Sequence, residues 1–355
     1  MRPTGSIDFI KSLAVIGVVS GHAVIMEDET LFCAFASPSD GIWHFFVFLY
    51  SQVIRFAVPF FFVISGYLWG QKSRKGVILD ANSPVVIKRA KRIFFVAVAW
   101  SLIYLFPFDQ VFQMFSTGLI APVKIAYWRL LGLLNNPLRL ATEGSKVHLW
   151  YLLSLLWAIG ITSLLAGRKL YRLLIVFSII LFVIGALGKP YASTNFGFYT
   201  DFDTRNGPFF STVFFVTGYF ISFARPNTSW AVKGGAIFLL GFVVHLTELY
   251  LLWSTYHISL RQDYVFGTYL MGLGAAMVAL SRGFSLKNDW LIANIGVFAL
   301  GIYAIHLVFV DLLKPIGQVF SGPVWSVAYV VSVIVLSLVS SKVLSRYRLT
   351  REIVQ

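Results

Sequence analysis

Charge and cysteine are what this 355-residue sequence has least of: 12% of its residues are Asp, Glu, Lys or Arg, and one, Cys33, is cysteine. So few charges cannot cover the surface of a soluble globule of this length. A single thiol excludes an intrachain disulfide and any multi-cysteine metal site, and it says almost nothing about redox compartment. Several chemical signatures are absent as well. There is no His-Glu-x-x-His or clustered-carboxylate spacing, so no metal is expected, and there is no Gly-x-Ser-x-Gly elbow or phosphate loop. Heptads, inverted repeats and low-complexity tracts are missing, which leaves one integral domain as the expectation. The first apolar run lacks a small-residue cleavage site followed by a soluble domain, so it is expected to stay in the protein.

What the sequence has in abundance is apolar surface. It is 58% hydrophobic and 17% aromatic, with a mean hydropathy of +0.78, the composition of an all-α, polytopic membrane helix bundle. A bilayer core needs about 20 apolar residues per helix. About ten such runs are legible, at 7–26, 42–70, 93–108, 148–166, 171–187, 208–224, 234–253, 264–281, 290–313 and 324–341.

Lys and Arg outnumber Asp and Glu 29 to 15. The excess does not point to nucleic acid, because the basic residues gather on one side of the spans. With the N-terminus inside, Lys72, Arg74, Lys75, Lys88, Arg89, Lys91 and Arg92 fall in the cytoplasm, as do Arg168, Lys169, Arg225, Lys342 and Arg351. The acidic run MEDETLFCAFASPSD and the segment YASTNFGFYTDFDTRNG then fall outside. An even number of spans returns the C-terminus to the cytoplasm, so both termini are expected there. One connection, 109–147, leaves Lys124, Arg129, Arg139 and Lys146 on the outer side, but its APVKIAYWRLLGLL run reads as an interfacial amphipathic helix. Residues 1–345 are read as the membrane domain and 346–355 as a short basic cytoplasmic tail.

The polar residues inside the spans carry the chemistry. At about 100° per residue, Asp8, Lys11 and His22 fall near 0°, 300° and 320° on the first helix, one arc of about 60°. His22 lies roughly 16 Å beyond Lys11 at about 1.5 Å per residue. Charge inside a bilayer costs at least about 2.5–3.5 kcal/mol, so an aligned stripe fits a face turned to protein or to a watery cleft. The plainer alternative makes Asp8 and Lys11 snorkelling interfacial residues and His22 a packing histidine. In the second span Arg55 precedes Pro59 by one turn, where proline frees a carbonyl. Arg55 is a fixed positive charge facing the cleft, or else a counterion to Asp8 or a clamp on the kink. Arg89 and Arg92, three apart at the start of the third span, share a helix face suited to phosphate, and equally to anchoring on anionic membrane lipid.

All six histidines map to the outer half or outer surface under this topology. His148 opens a span beside Trp150 and Tyr151, an arrangement also expected of an aromatic belt. His306 lies one turn after Tyr303. His245 and Glu248 are spaced to form a private pair. Trp43, Tyr191, Tyr199, Asp201, Asp203 and Arg205 in the outer loops are candidates for sugar binding, though aromatic residues at that depth are usual.

Taken together, IDFIKSLAVIGVVSGH, RFAVPFFFVISGYL, RAKR, HLWYL and LGIYAIHLVF resemble the acyltransferase-3 family of bacterial integral-membrane acyltransferases, which includes O-acetyltransferases of O-antigen, enterobacterial common antigen and exopolysaccharides. The resemblance runs from the first span to the ninth. Its most specific elements are a basic residue followed after ten others by histidine, met by Lys11 and His22; the phenylalanine-rich Ser-Gly-Tyr run, met by Phe60 to Tyr67; and Arg-x-x-Arg, met by Arg89 and Arg92. Lysine at position 11 replaces the more frequent arginine, which keeps the charge and gives up bidentate geometry.

The resemblance implies a multi-pass protein of the bacterial cytoplasmic (inner) membrane that takes acyl-CoA, acetyl-CoA foremost, from the cytoplasm. The acyl group would end on a hydroxyl of a cell-surface glycan or its lipid-linked precursor outside. Arg89, Arg92 and Lys11, with Ser65 and Tyr67, would hold the cofactor, and His22 would act as general base or accept the acyl group itself. Asp8 would pair with Lys11 or orient a ring nitrogen through water, and Arg55 would stabilise the thioester oxyanion. His148, Trp150, Tyr303 and His306 are placed on the acceptor side. Some relatives carry an added extracytoplasmic hydrolase-like domain; none is expected here, so the chain acylates its acceptor directly or hands the group to a glycan-assembly partner. A proton-coupled transporter of a small anionic or glycan-related solute is the rival reading, since such carriers also use intramembrane charges. It predicts paired repeats and interrupted helices in both halves.

Overall fold

The computed structural model describes residues 5–25, 41–114, 118, 120–282, 295–317, 320 and 323–354. The acidic run 26–40 with Cys33, and residues 283–294, lie outside them. Among the described residues there are helices and connecting segments and no strands. This is the outcome hydrocarbon imposes on a single chain without a closed barrel, because a helix satisfies its own backbone groups.

The first helix, α1 (Gly5–Ser20), ends in a π-helical turn, Gly21–Ile25. Helices α2 (Gly41–Val53) and α3 (Ala57–Arg74) are joined by one 3-10 turn, Ile54–Phe56. Together they form a single apolar span, Phe45–Arg74. The break falls where proline predicts it: Pro59 has no N–H for the carbonyl of Arg55, and the chain tightens just before it.

Helix α4 (Pro84–Ile103) starts nearer the N-terminus than the apolar run at 93–108 implied. Ser83 caps it, its Oγ accepting from Val86 N at 3.3 Å, with Pro84 in the first turn. Hydropathy misses this end because Lys88 to Arg92 are already on the helix. Next come α5 (Ile120–Leu134), in the run read as an amphipathic helix, and α6 (Pro137–Thr142). Then follow α7 (Trp150–Gly167), α8 (Tyr171–Leu187), α9 (Pro208–Ile221), α10 (Ser229–Tyr256) and α11 (Phe266–Leu280). The last three are α12 (Ala299–Gly317), α13 (Pro323–Leu344) and α14 (Arg348–Val354).

Seven stretches of the described residues are long and apolar enough to cross a membrane. Three shorter apolar helices, α8, α9 and α11, accompany them. Helix α9 has 14 residues, about 21 Å, and Phe210 to Val216 are all buried, so it is a central helix wrapped by the others. It crosses α3 at two facing glycines. A Cβ at Gly66 would overlap the carbonyl of Phe215, and one at Gly218 would overlap the carbonyl of Val63. Close backbone approach through small residues is how membrane helices gain packing without a hydrophobic drive.

The stretch after residue 345 does not trail. Helix α14 packs on α4, with Val354 fully buried and the Trp100 indole donating to Ile353 O at 2.9 Å.

Candidate active site

Helix α1 carries Asp8 and Lys11 one turn apart, and they form an ion pair at 3.1 Å. Lys11 lines a cavity of about 270 Å³ together with Ser65, Arg89, Arg92, Tyr151 and Tyr303. Tyr67, grouped with these at the sequence level, is elsewhere: it is 1% exposed and does not line the cavity. On α3, Ser65 and Tyr67 are two residues apart and so face different ways.

Further along α1, His22 sits at the start of the π turn and lines a second cavity of about 130 Å³ with Ser51, Arg55, Trp150, Arg205 and Asp263. Val18 and Val58 line both cavities. The two spaces therefore adjoin at these two valines. A π turn widens the helix by one residue and is frequent where a side chain must be re-aimed.

Three imidazoles from three distant parts of the chain meet here. Ring centroids of His22 and His306 are 5.2 Å apart, those of His148 and His306 also 5.2 Å, and those of His22 and His148 6.5 Å. His148 Nε2 lies 3.3 Å from Ala304 O and His306 Nδ1 lies 2.6 Å from Tyr303 O. A carbonyl only accepts, so each of those nitrogens carries the hydrogen. The neutral rings then hold lone pairs at His148 Nδ1 and His306 Nε2, both buried and without a partner among the described residues. Tyr303 locks the pair by donating to the carbonyl of His148, and Tyr104 donates to Ala304 O at 2.7 Å. Lys146 and Asp311, at 2.6 Å, tie the same two segments beyond the rings. His148 is 1% exposed and Trp150 is also buried, so neither is an interfacial belt residue. Among the described residues no group of three or more His, Cys, Asp or Glu could hold a metal ion.

Opposite the imidazoles lies a lattice of charge. Arg55 faces Asp263 at 3.5 Å, not Asp8. Asp263 also receives Lys189 at 2.9 Å and Arg205 at 3.0 Å, while Asp203 receives Lys189 at 2.6 Å and Arg205 at 3.3 Å. Arg205 lies over the Trp150 ring, 4.9 Å from its centroid. Burial alone would raise the Asp263 carboxyl, but Arg205, Lys189 and Arg55 outweigh it and hold the group well below the usual carboxylate range. Nε of Arg55 and Nε of Arg205 are buried without a partner among the described residues. These N–H groups beside His22 are the donors an anionic or developing-oxyanion oxygen needs.

His245 and Glu248 do not pair with each other. His245 Nε2 donates to Gln52 Oε1 and its Nδ1 accepts from Thr268, both at 3.0 Å. Glu248 accepts from Tyr191 at 2.5 Å and from Gly267 N at 2.6 Å. The contacts with Thr268 and Gly267 pin the start of α11, next to the loop that carries Asp263.

The acyltransferase-3 family model, an acyltransferase domain, matches residues 4–342. The chain belongs to the acyltransferase-3 family. Members of this family are membrane acyltransferases, and the matched region includes every residue of the two cavities described above. Over 197 residues it is 30% identical to an amino-acid racemase of Enterococcus faecalis, an alignment that covers 51% of this chain and 24% of that protein. The chain thus spans about a quarter of that relative's length. No solved structure matches it.

In the lattice beside His22, sequence reasoning missed Asp263 and its partner Lys189. Asp263 stands in RQDYVFG, a short polar loop with no motif around it. The signal available was an acid just outside an apolar run, which is common in any membrane protein. Arg205 and Asp203, read as sugar-binding candidates, sit instead in the charge lattice that holds Arg55.

Proposed function

We propose that this acyltransferase moves a short acyl group, acetyl foremost, from acyl-CoA at the Lys11, Arg89 and Arg92 mouth to a hydroxyl of a cell-surface glycan or its lipid-linked precursor at the His22 side. The carrying observation is that Val18 and Val58 line both cavities, which supports a route from the basic mouth to the His22 side. The mouth is cytoplasmic in this reading, with ten spans in the bacterial inner membrane and both ends of the chain inside, as the distribution of lysine and arginine supports.

In the reaction, the acceptor hydroxyl oxygen attacks the thioester carbonyl, the C–S bond breaks, and CoA leaves as the thiol. In that direct route His22 removes the hydroxyl proton as general base and passes it to the departing thiolate. In the covalent route His22 itself displaces CoA from the thioester, and the acceptor hydroxyl then attacks the acyl-imidazole, breaking its C–N bond. Arg55, aimed by Asp263, donates to the oxyanion of the tetrahedral intermediate. Lys11, paired with Asp8, and Arg89 with Arg92 neutralise the phosphates of the donor.

Replacement of His22 by Ala tests the reading. Acetyl transfer from radiolabelled acetyl-CoA to membrane glycan is expected to fall by at least about 100-fold with the protein still present in the membrane. Wild-type transfer by that variant refutes the assignment.

A further inference from the structure

A second basic feature lies beside the donor mouth, and of it the reaction above uses Arg92 alone. Lys88, Lys91, Arg92, Phe95, Arg351 and Glu352 line a groove of about 700 Å³ between α4 and α14. Its four cations face one acid. Residues 88, 91, 92 and 95 follow the i, i+3, i+4, i+7 spacing of a single helix face. Arg351 is brought to that face by tertiary packing: Val354 is buried, Trp100 bonds Ile353 O, and Arg351 Nε donates to Ser345 O at 2.9 Å. Arg92 lines both this groove and the cavity that holds Lys11 and Arg89. The basic surface is therefore continuous around one guanidinium.

A CoA thioester carries its charge in two places, a diphosphate and a separate 3′-phosphate monoester on the ribose. The monoester bears about −1.5 to −2 charges at pH 7. Two adjoining clusters of cations match two clusters of phosphate oxygens. We infer that Lys88, Lys91 and Arg351 form the subsite for the 3′-phosphate of the donor nucleotide, with Arg92 shared between this group and the diphosphate. The inference rests on the acyl-CoA reading above and deepens it. An anionic lipid headgroup is the competing occupant; it is a singly charged diester in the common case, and it gives no reason for the groove to adjoin the donor cavity.

The test compares acetyl-CoA with acetyl-3′-dephospho-CoA on the full chain in phosphatidylcholine nanodiscs and in nanodiscs containing phosphatidylglycerol. Wild-type protein is expected to prefer acetyl-CoA by about tenfold or more in KM. Arg351→Ala combined with Lys88→Ala should bring that preference close to one by weakening acetyl-CoA alone, while Arg351→Lys keeps part of it. All three side chains are exposed, so these changes leave the packed core alone. Equal use of the two donors by wild-type protein overturns the subsite and leaves the acyl-CoA reading standing. A preference that the variants do not change overturns it too, as does an effect seen only with phosphatidylglycerol, which assigns the groove to lipid. Use of neither donor overturns the acyl-CoA reading itself.

Discussion

At the scale of single residues, two histidines are held by main-chain carbonyls so that their remaining nitrogens are bare. His148 and His306 each donate one N–H to backbone, and His22 stands within about one ring's width of His306. His22 was legible from its spacing to Lys11. The partnership with His148 and His306 was not, because residues 22, 148 and 306 share no local period and only packing brings them together. Asp263 gives a prediction at this scale. Its carboxyl is held below the usual range, so its contribution to stability is complete above the unfolded value of about 3.9 and is lost as pH falls toward the lower folded value. Asp263→Asn should destabilise by about 1–3 kcal/mol at neutral pH, since Arg55, Arg205 and Lys189 lose a shared partner. Thermal unfolding in detergent should show that gap constant down to about pH 4 and narrowing below it. A gap that closes between pH 5 and 7 contradicts the assignment.

Among the helical elements, breaks and close approaches matter more than helix length. The 3-10 turn at Ile54–Phe56 holds Arg55 at the site, and Pro59 announced it in the sequence. The crossing of α3 and α9 was not announced, because glycine in a membrane helix has many reasons to be there. Gly218→Val should destabilise by about 3 kcal/mol, as the new side chain meets the Val63 carbonyl and must part the two helices. The melting temperature in detergent measures this, and an unchanged value shows that the crossing is loose. The valines shared by the two cavities give a functional counterpart. Val18→Phe should fill the junction, lowering kcat by about tenfold or more while the KM for acyl-CoA changes little, because the donor still binds at the mouth. A loss confined to KM places the reacting group elsewhere.

Across the whole molecule, the reading demands that Lys11 and His22 open toward opposite sides of one membrane. Single-cysteine variants in a Cys33→Ser background report this directly. A membrane-impermeant maleimide added to intact cells should label Asp201→Cys and spare Lys169→Cys; the reverse pattern inverts the orientation. The seven long spans were readable because burying about 20 apolar residues in hydrocarbon is a local free energy, summed over a contiguous window. The sequence alone therefore settled the helical class of the molecule, its membrane-spanning character and the break before Pro59. Tertiary structure decided which distant polar groups meet. It set Asp263 and Arg205, from two separate loops, against Arg55, and it folded α14 onto α4 so that Arg351 stands beside the donor mouth. Those encounters depend on helices crossing at particular residues, a property of pairs far apart in the chain that no window along the chain contains.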